Sequence, residues 1–335
     1  MVSLDGGEPE LRRDALTGIW SILAPGRSDR PHTTGDGDDG PCPFCPGNES
    51  LTPPEIWALG RKESRPDTPG WEVRVIPNLY AALKPDLQGG GWKRGARIGR
   101  PARGYHEVII NSPQHDLPLA DMRPDQARQL FQAYRARYSE LASYPQVQQV
   151  IIIENHGSQA GASIDHPHTQ VFGLPLIPEM TRNELRNTVQ SWPASCPLCE
   201  DLIEAREDGR VIAETGSWSA FTPYASRFSY EVRLVPISHK PALNLADDDE
   251  LSGLAETLPQ VLSGLSRLLD DPPYNLFFHC APADGKDYRH YHWHLEIIPR
   301  GEKAAGFEFS SGIYINTGVP EESTRQIREA MGRQA

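Results

Sequence analysis

The sequence predicts an α+β fold with mainly antiparallel sheets and flanking helices, built from two copies of one unit. Three motifs recur in the same order along the chain: a CxxC pair, a glutamate with a histidine eight residues later, and a His-X-His. Short apolar segments and one long helix candidate accompany each set of motifs. Agreement of three motifs in order exceeds chance. We therefore predict tandem domains at residues 1–185 and 186–335, with the boundary near 178–195.

The two copies also agree in spacing. The middle histidine precedes the His-X-His by 51 residues in the first copy (115 to 166) and by 53 in the second (239 to 292). The motif residues are Cys42, Cys45, Glu107, His115, His166 and His168, and then Cys196, Cys199, Glu231, His239, His292 and His294.

Apolar segments predict four strands in each copy. They are residues 72–76, 106–111, 149–154 and 169–174, then 218–222, 230–236, 275–279 and 292–298. Each copy has one helix with Leu, Phe or Tyr at helical spacing, at 124–143 and 248–269, and acidic residues begin both helices. A C-terminal helix is predicted at 320–332. Residues 28–41 and 88–103 are rich in polar residues or glycine and are predicted as loops.

The charge balance limits the classes of partner. Lys and Arg number 33 and Asp and Glu 45, a formal net charge of −12. A chain this acidic is not expected to bind nucleic acid, but a small phosphorylated ligand needs only a few local donors. The chain has no apolar run of membrane-spanning length and no signal-peptide core at its N-terminus, so a cytoplasmic protein without membrane contact is expected.

Residues 155–170 carry the strongest functional signal. Apolar residues precede and follow this segment, which predicts strand, glycine-containing turn and strand. Alternation along a strand would place His166, His168 and Gln170 on one face. Two imidazoles and an amide beside a loop of small residues suit phosphate chemistry, because loop amides bind phosphate oxygens and histidine attacks phosphorus. The alternative is a structural histidine pair.

The two CxxC pairs favour zinc over redox chemistry. A redox pair would open a helix after a strand, whereas both pairs lie among proline and glycine. The repeat completes two closed, structural Cys2His2 sites, and hence two Zn²⁺ ions per chain. Their ligands are Cys42, Cys45, His115 and His166, and Cys196, Cys199, His239 and His292.

Two alternatives remain for the metal ligands. His115 and His239 can instead be surface residues of loops that follow strands. A competing second site can use His279, His294 and Glu296, with Glu184, for a harder metal such as iron. We favour the cysteine set because thiolates are the stronger zinc ligands.

If His166 binds zinc, His168 on the same strand face can act as a nucleophile and form a phosphoramidate. Gln170 can donate a hydrogen bond to a phosphoryl oxygen, and Gly157, Gly161 and Ser163 can add further donors. The second copy has Glu296 where the first has Gln170. A carboxylate there would repel phosphate, so only the first copy is predicted to be catalytic.

These motifs resemble the galactose-1-phosphate uridylyltransferase family of the histidine-triad superfamily, over nearly the whole chain. The matching segments are 12–20, 25–31, 42–48, 74–83 and 161–170. The resemblance implies two histidine-triad-like units, with His168 as the nucleotidylated nucleophile and Gln170 beside it. It also implies nucleotide or phosphate contacts by Arg27, Arg30, Asn78, Asn155, Gly157, Gly161, Ser163 and Gln170.

The implied reaction is ping-pong transfer of a nucleoside monophosphate from a nucleotide sugar to a sugar 1-phosphate. Glu308 would contact the sugar, and the family's sites are often completed by a partner subunit, so a homodimer is expected. The second CxxC and residues 312–316 are more similar to the plant ADP-glucose phosphorylase branch. Phe307 stands where the uridylyltransferases have tyrosine, which leaves the sugar open.

Three further functions remain as alternatives. The nearest is a nucleotide-sugar phosphorylase that uses orthophosphate as its acceptor. The others are a hydrolase of dinucleoside polyphosphates and a nucleotide-binding zinc protein without turnover. The intact His168 and Gln170 argue against the last.

Overall fold

A ten-stranded antiparallel sheet forms the centre of the protein, in a computed structural model that describes residues 8–29 and 40–332. The first half contributes β3 (Trp57–Leu59), β4 (Val73–Pro77), β7 (Tyr105–Ile110), β8 (Gln149–His156) and β9 (His168–Leu174). The second half contributes β10 (Val211–Glu214), β11 (Trp218–Phe221), β12 (Val232–Pro236), β13 (Tyr274–His279) and β14 (His294–Pro299).

The strand order shows the duplication directly. It runs β10-β11-β12-β14-β13-β8-β9-β7-β4-β3, so the five strands of each half follow the same order outward from the centre. The halves join where β13 pairs with β8, and Asn275 lies opposite Asn155 there. The division at residue 185 stays a prediction, because that residue lies inside helix α2 (Glu179–Ser191) and the sheet is continuous between the halves.

Two long helices, α1 (Pro124–Ala142) and α4 (Asp248–Leu269), bury one face of the sheet. Phe131 and Tyr134 of α1 and Leu254 and Leu258 of α4 are fully buried in one continuous core. Side chains alternate along each strand of the sheet. Every second strand residue therefore faces this core, and the residues between them lie on the opposite face. That opposite face carries His168 and Gln170.

The described residues also contain four shorter α-helices. They are α2, α3 (Pro197–Glu207), α5 (Gly306–Ser311) and α6 (Pro320–Ala330). The sequence predicted α1, α4 and α6 to within two residues, but not α2, α3 or α5. Within residues 8–29 and 40–332, no helix is both long and apolar enough to cross a bilayer.

The prediction of a loop at 88–103 is wrong, because this segment contains β5 (Trp92–Arg94) and β6 (Arg97–Pro101). With β1 (Glu10–Arg13) and β2 (Trp20–Leu23) they form a separate four-stranded sheet. The Trp92 indole lies over Gly99 and donates to Glu10 Oε1 at 3.1 Å. A glycine facing an aromatic ring gives no alternating apolar pattern, which hid this hairpin in the sequence.

Two further details differ from the sequence prediction. His166 and His292 lie just before β9 and β14 rather than within strands. The second CxxC opens a helix, since Cys196 is the N-cap of α3 and Cys199 lies in its first turn. Of the loop predicted at 28–41, residues 30–39, including Arg30, lie outside the described residues.

Candidate functional site

The candidate site is a cavity of about 230 Å³ beside the start of β9. His168, Gln170 and Ser163 line it together with Phe44, Asn78 and Tyr80, so residues from four separate segments meet there. Most of the remaining wall is apolar. An apolar slot with a few polar groups at one end suits a base and ribose with a phosphate beyond them.

The His168 ring is held in one tautomer. Its Nδ1 lies 2.9 Å from the backbone carbonyl oxygen of His166. A carbonyl oxygen only accepts, so Nδ1 carries the proton and Nε2 is the unprotonated nitrogen of the neutral ring. His168 is 8% exposed, and its ring packs edge-on against Phe44. Phe44 is one of the two residues between the cysteines of the first CxxC in the sequence. This tautomer is the form that a nucleophilic imidazole requires.

The loop before β9 depends on two glycines with positive φ, Gly157 at 77° and Gly161 at 95°. The Gly161 amide donates to the carbonyl oxygen of Ser158, and the Ala162 amide to that of Gly157. Gly161 is therefore needed for the shape of the turn, and its N–H is engaged within the loop rather than presented as the expected phosphate donor. Ser163, which is buried, lines the cavity.

Asn275, which the sequence did not indicate, braces this loop from the second half of the chain. Its Nδ2 donates to Asn155 Oδ1 at 2.7 Å and to the Ala160 carbonyl oxygen at 2.8 Å. With its oxygen bound to Asn275, Asn155 has its amide nitrogen on the other side, near Gly161. The second copy thus supports the loop of the first, through a contact that no local sequence pattern reveals.

Two further residues expected to contact the substrate, Arg27 and Glu308, lie among the described residues. Arg27 is half-buried, and its guanidinium donates to the carbonyl oxygen of Tyr80 at the cavity wall. Burial of the guanidinium lowers the pKa of Arg27. Glu308 is not one of the described residues that line this cavity. It lies in α5, where its carboxylate accepts from the amides of Ala305 and Ile315.

The first predicted zinc ligand set comes together. The ligand atoms of Cys42, Cys45, His115 and His166 all lie within 4.8 Å of one another. His166 Nδ1 is 3.7 Å from both sulfurs, and His115 Nδ1 is 3.3 Å from Cys45 Sγ. Tetrahedral zinc with Zn–S of about 2.3 Å and Zn–N of about 2.1 Å separates sulfur from nitrogen by about 3.6 Å.

The surroundings of His166 also fit a metal ligand. Its Nε2 donates to the Ser112 carbonyl oxygen at 2.8 Å, which leaves Nδ1 unprotonated and directed at the cysteines. Burial lowers the pKa of His166 to about 4, so the ring is neutral at neutral pH, as a metal ligand must be.

The second ligand set repeats this arrangement. Cys196, Cys199, His239 and His292 also lie within 4.8 Å, and His239 Nδ1 and His292 Nδ1 are 3.5 and 3.4 Å from Cys199 Sγ. Both histidines donate through Nε2 to backbone carbonyls, those of Arg289 and Pro236, at 2.9 Å. His115 and His239 are therefore not merely surface loop residues. Both clusters have the donor set and spacing of closed zinc sites.

Glu184, His279 and His294 form a third cluster, separate from the cysteine sets and not in competition with them. His279 Nδ1 lies 2.9 Å from Glu184, and its Nε2 lies 3.4 Å from Glu296. Although burial alone would lower the pKa of His279, the Glu184 carboxylate raises it to about 9. His279 thus lies between two carboxylates, those of Glu184 and Glu296.

The second copy repeats the backbone geometry of the catalytic strand but not its chemistry. His294 Nδ1 donates to the His292 carbonyl oxygen at 3.1 Å, as His168 does to that of His166. Glu296, in the place of Gln170, is buried and accepts from Arg227 and Arg233. These arginines are committed to the carboxylate, which fits the prediction that this copy is not catalytic.

Comparison with known proteins places these features in a family. Residues 5–178 match the family model described as "Galactose-1-phosphate uridyl transferase, N-terminal domain". The chain is 31% identical to an ADP-glucose phosphorylase from Arabidopsis thaliana over 98% of its length and 94% of the relative. It is 30% identical to a galactose-1-phosphate uridylyltransferase from Thermotoga maritima, over 96% and 98%. A solved uridylyltransferase structure superimposes with a TM-score of 0.81 at 27% identity, covering 96% of this chain and 98% of the other.

Proposed function

The chain belongs to the galactose-1-phosphate uridylyltransferase family, and from this we propose that it moves a nucleoside monophosphate from a nucleotide sugar to a sugar 1-phosphate. The observation that carries the proposal is the fixed tautomer of His168 at the edge of the cavity. Its unprotonated Nε2 can attack phosphorus without first losing a proton.

The reaction has two balanced steps. In the first, His168 Nε2 attacks the α-phosphorus of the nucleotide sugar, the N–P bond forms, and the P–O bond to the β-phosphate breaks. The sugar 1-phosphate leaves with that bonding pair. In the second, a phosphate oxygen of the acceptor attacks the same phosphorus, the N–P bond breaks, and neutral His168 is restored. The histidine thus divides one difficult transfer into two easier ones.

The remaining site residues bind and orient the substrate. The amide of Gln170, the Asn155 side chain and the Ser163 hydroxyl are proposed to donate to phosphoryl oxygens, whose charge is greatest as bonds change. Arg27 and Arg30 are proposed to balance the phosphate charge, and Asn78 to lie at the nucleotide. The apolar wall of the cavity would cover the base and ribose.

A second candidate is an ADP-glucose phosphorylase, which would pass the nucleotide from His168 to orthophosphate. It is favoured by the full-length similarity to the Arabidopsis relative of that name. The two functions share the first step and differ in the base and in the acceptor.

We expect the protein to form a covalent nucleotide adduct when incubated with a nucleotide sugar in the absence of acceptor. Intact-mass measurement with UDP-glucose and ADP-glucose in parallel identifies the base from the mass gained. Hexose 1-phosphate is then expected to discharge the adduct faster than orthophosphate. Faster discharge by orthophosphate assigns the phosphorylase function, and no adduct with either donor contradicts the covalent mechanism.

The two Cys2His2 clusters are proposed to hold one Zn²⁺ each. With two thiolates and two imidazoles per ion, no coordination position is open to substrate. The zinc would therefore supply folding energy and fix the loops around the site. In the first cluster the same short segment provides the ligand His166 and, two residues later, the nucleophile His168.

A homodimer is proposed from the surface of residues 306–315. Phe307, Phe309, Ile313 and Ile315 are 50%, 81%, 63% and 64% exposed, a large apolar area close to Glu308. Since Glu308 does not line the cavity of its own chain, we propose that it reaches the sugar in the site of a second copy.

Phe309→Glu is expected to dissociate the dimer, because a carboxylate would be buried at the contact. Sedimentation velocity measures the change in mass, and the KM for the sugar substrate is expected to rise with it. Leu16→Glu is the matched control, because Leu16 is also exposed but lies in the turn between β1 and β2. A Phe309→Glu protein that keeps the mass of a dimer contradicts this contact.

A further inference from the structure

We propose that His106 is a positioning residue for nucleotidyl transfer, which turns the Gln170 side chain so that its NH2 group, and not its oxygen, faces the phosphoryl group. The proposal rests on the proposed function, since it assigns Gln170 to that phosphoryl group. His106 lies on β7, next to β9, and neither a motif nor the repeat singled it out.

The tautomer of His106 follows from a backbone contact. The amide of Ala82 donates to His106 Nδ1 at 3.1 Å. A backbone N–H only donates, so Nδ1 must be unprotonated, and in the neutral ring the proton lies on Nε2. The ring of His106 is 3% exposed, so water has little access to change this arrangement.

That proton determines the orientation of Gln170. His106 Nε2 lies 2.9 Å from Gln170 Oε1. With Nε2 as a donor, the nearer end of the Gln170 amide must be its oxygen, because two N–H groups facing each other would repel. The NH2 group is then at the end away from His106, on a side chain that lines the cavity with His168.

A neighbouring side chain is held in the same way. Asn78 Oδ1 accepts from the Tyr80 amide at 2.8 Å, which places its NH2 group 3.1 Å from His106 Nε2. Both of these groups are donors, so in this tautomer the 3.1 Å contact is not a hydrogen bond, and the Nε2 proton is shared with Gln170 Oε1 and not with Asn78. The backbone N–H group of Ala82 thus fixes the tautomer of His106, and that of Tyr80 fixes the orientation of the Asn78 amide.

The ring of His106 is also fixed in position. It stacks on Phe172 with centroids 4.1 Å apart, and His106 pairs with Phe172 across the β7–β9 ladder. In the same ladder Val108 lies opposite Gln170, two positions along. His106 therefore reaches the Gln170 amide diagonally between adjacent strands, a contact that is rigid on both sides.

The orientation matters because a phosphoryl group presents only oxygens. An amide NH2 stabilises the negative charge that they carry during transfer, whereas an amide oxygen turned toward them repels it. Without His106 the amide of Gln170 can adopt both orientations. The rate of the chemical step is then expected to fall more than substrate binding does.

The test compares His106→Asn with His106→Gln. Asparagine can replace Nδ1 as the acceptor for Ala82 but does not reach Gln170, whereas glutamine extends to the position of Nε2 and can donate to Gln170 Oε1. Rapid-quench measurement of adduct formation at saturating nucleotide sugar is expected to show His106→Asn slower by about tenfold to a hundredfold. His106→Gln is expected to recover most of that loss, and the substrate concentration for half-maximal rate is expected to change little.

A double-mutant cycle gives the second readout. If His106 acts through Gln170, His106→Asn has no further effect in a Gln170→Ala background, whereas a general structural role would add to it. Equal zinc content and equal Tm for the His106 variants exclude a folding defect as the cause.

Three results would overturn the role of His106: an unimpaired His106→Asn, equal losses in the two variants, or additive losses with Gln170→Ala. Any of these leaves the proposed function standing, provided that the wild-type protein forms the adduct. A wild-type protein that forms no adduct overturns both the proposed function and the role of His106.

Discussion

Replacement of His168 by asparagine is expected to abolish the covalent adduct and to lower kcat by at least about 10⁴-fold, because it removes the nucleophile itself. Binding should persist, since the cavity wall and the phosphate donors remain. Intact mass after incubation with a nucleotide sugar, together with steady-state rates, measures both effects.

The duplicated chain supplies a matched control for this variant. His294 occupies the position of His168 in the second copy and makes the same contact with the carbonyl oxygen two residues before it. His294→Asn is therefore a similar change in a similar backbone setting, and adduct formation should survive it. An adduct on His168→Asn would contradict the assignment of the nucleophile. Its loss in a folded His294→Asn protein would show that the second copy takes part in the chemistry.

Loss of one zinc ligand is expected to have the largest effect on stability. Cys45→Ala should lower the zinc content from two ions per chain to one and reduce Tm strongly. Structural zinc binding contributes about 10–16 kcal/mol in small zinc domains, and much of that energy is folding energy. Elemental analysis and differential scanning calorimetry measure the two changes.

The two zinc sites should differ in their effect on catalysis. In the first cluster, His166 directs its Nδ1 at Cys45 Sγ and provides the carbonyl oxygen that fixes the tautomer of His168, and Phe44 packs on both rings. Cys45→Ala should therefore also stop adduct formation. Cys199→Ala should likewise remove one zinc but leave adduct formation measurable at temperatures where the protein is folded.

Cys280→Ala is the control for both zinc variants. Cys280 is a buried free cysteine outside the two clusters, and its removal should leave two zinc ions per chain. If Cys45→Ala keeps two zinc ions, the first ligand set is wrong. If Cys199→Ala stops adduct formation as completely as Cys45→Ala does, the two zinc sites do not differ in their effect on catalysis.

Much of the fold followed from local patterns. The helix at 248–269 was predicted to the residue because acidic residues at its start and apolar residues at helical spacing mark it clearly. The β5–β6 hairpin was missed because Trp92 packs over Gly99 rather than over an apolar partner. The helix that opens at Cys196 was missed because the prolines around it favour a loop in the local sequence pattern.

The functional site likewise contains residues that the sequence predicted and contacts that only the structure shows. The sequence by itself predicted which residues form the two Cys2His2 clusters, and it marked His168 and the duplication, because these residue types have distinctive chemistry and recur at similar spacing. Only the tertiary structure decided what orients them. His106 meets Gln170 because β7 pairs with β9, and Asn275 meets Asn155 because β13 of one copy pairs with β8 of the other. Such contacts depend on strand order and register, which are set by the packing of the whole sheet and leave no local pattern in the chain.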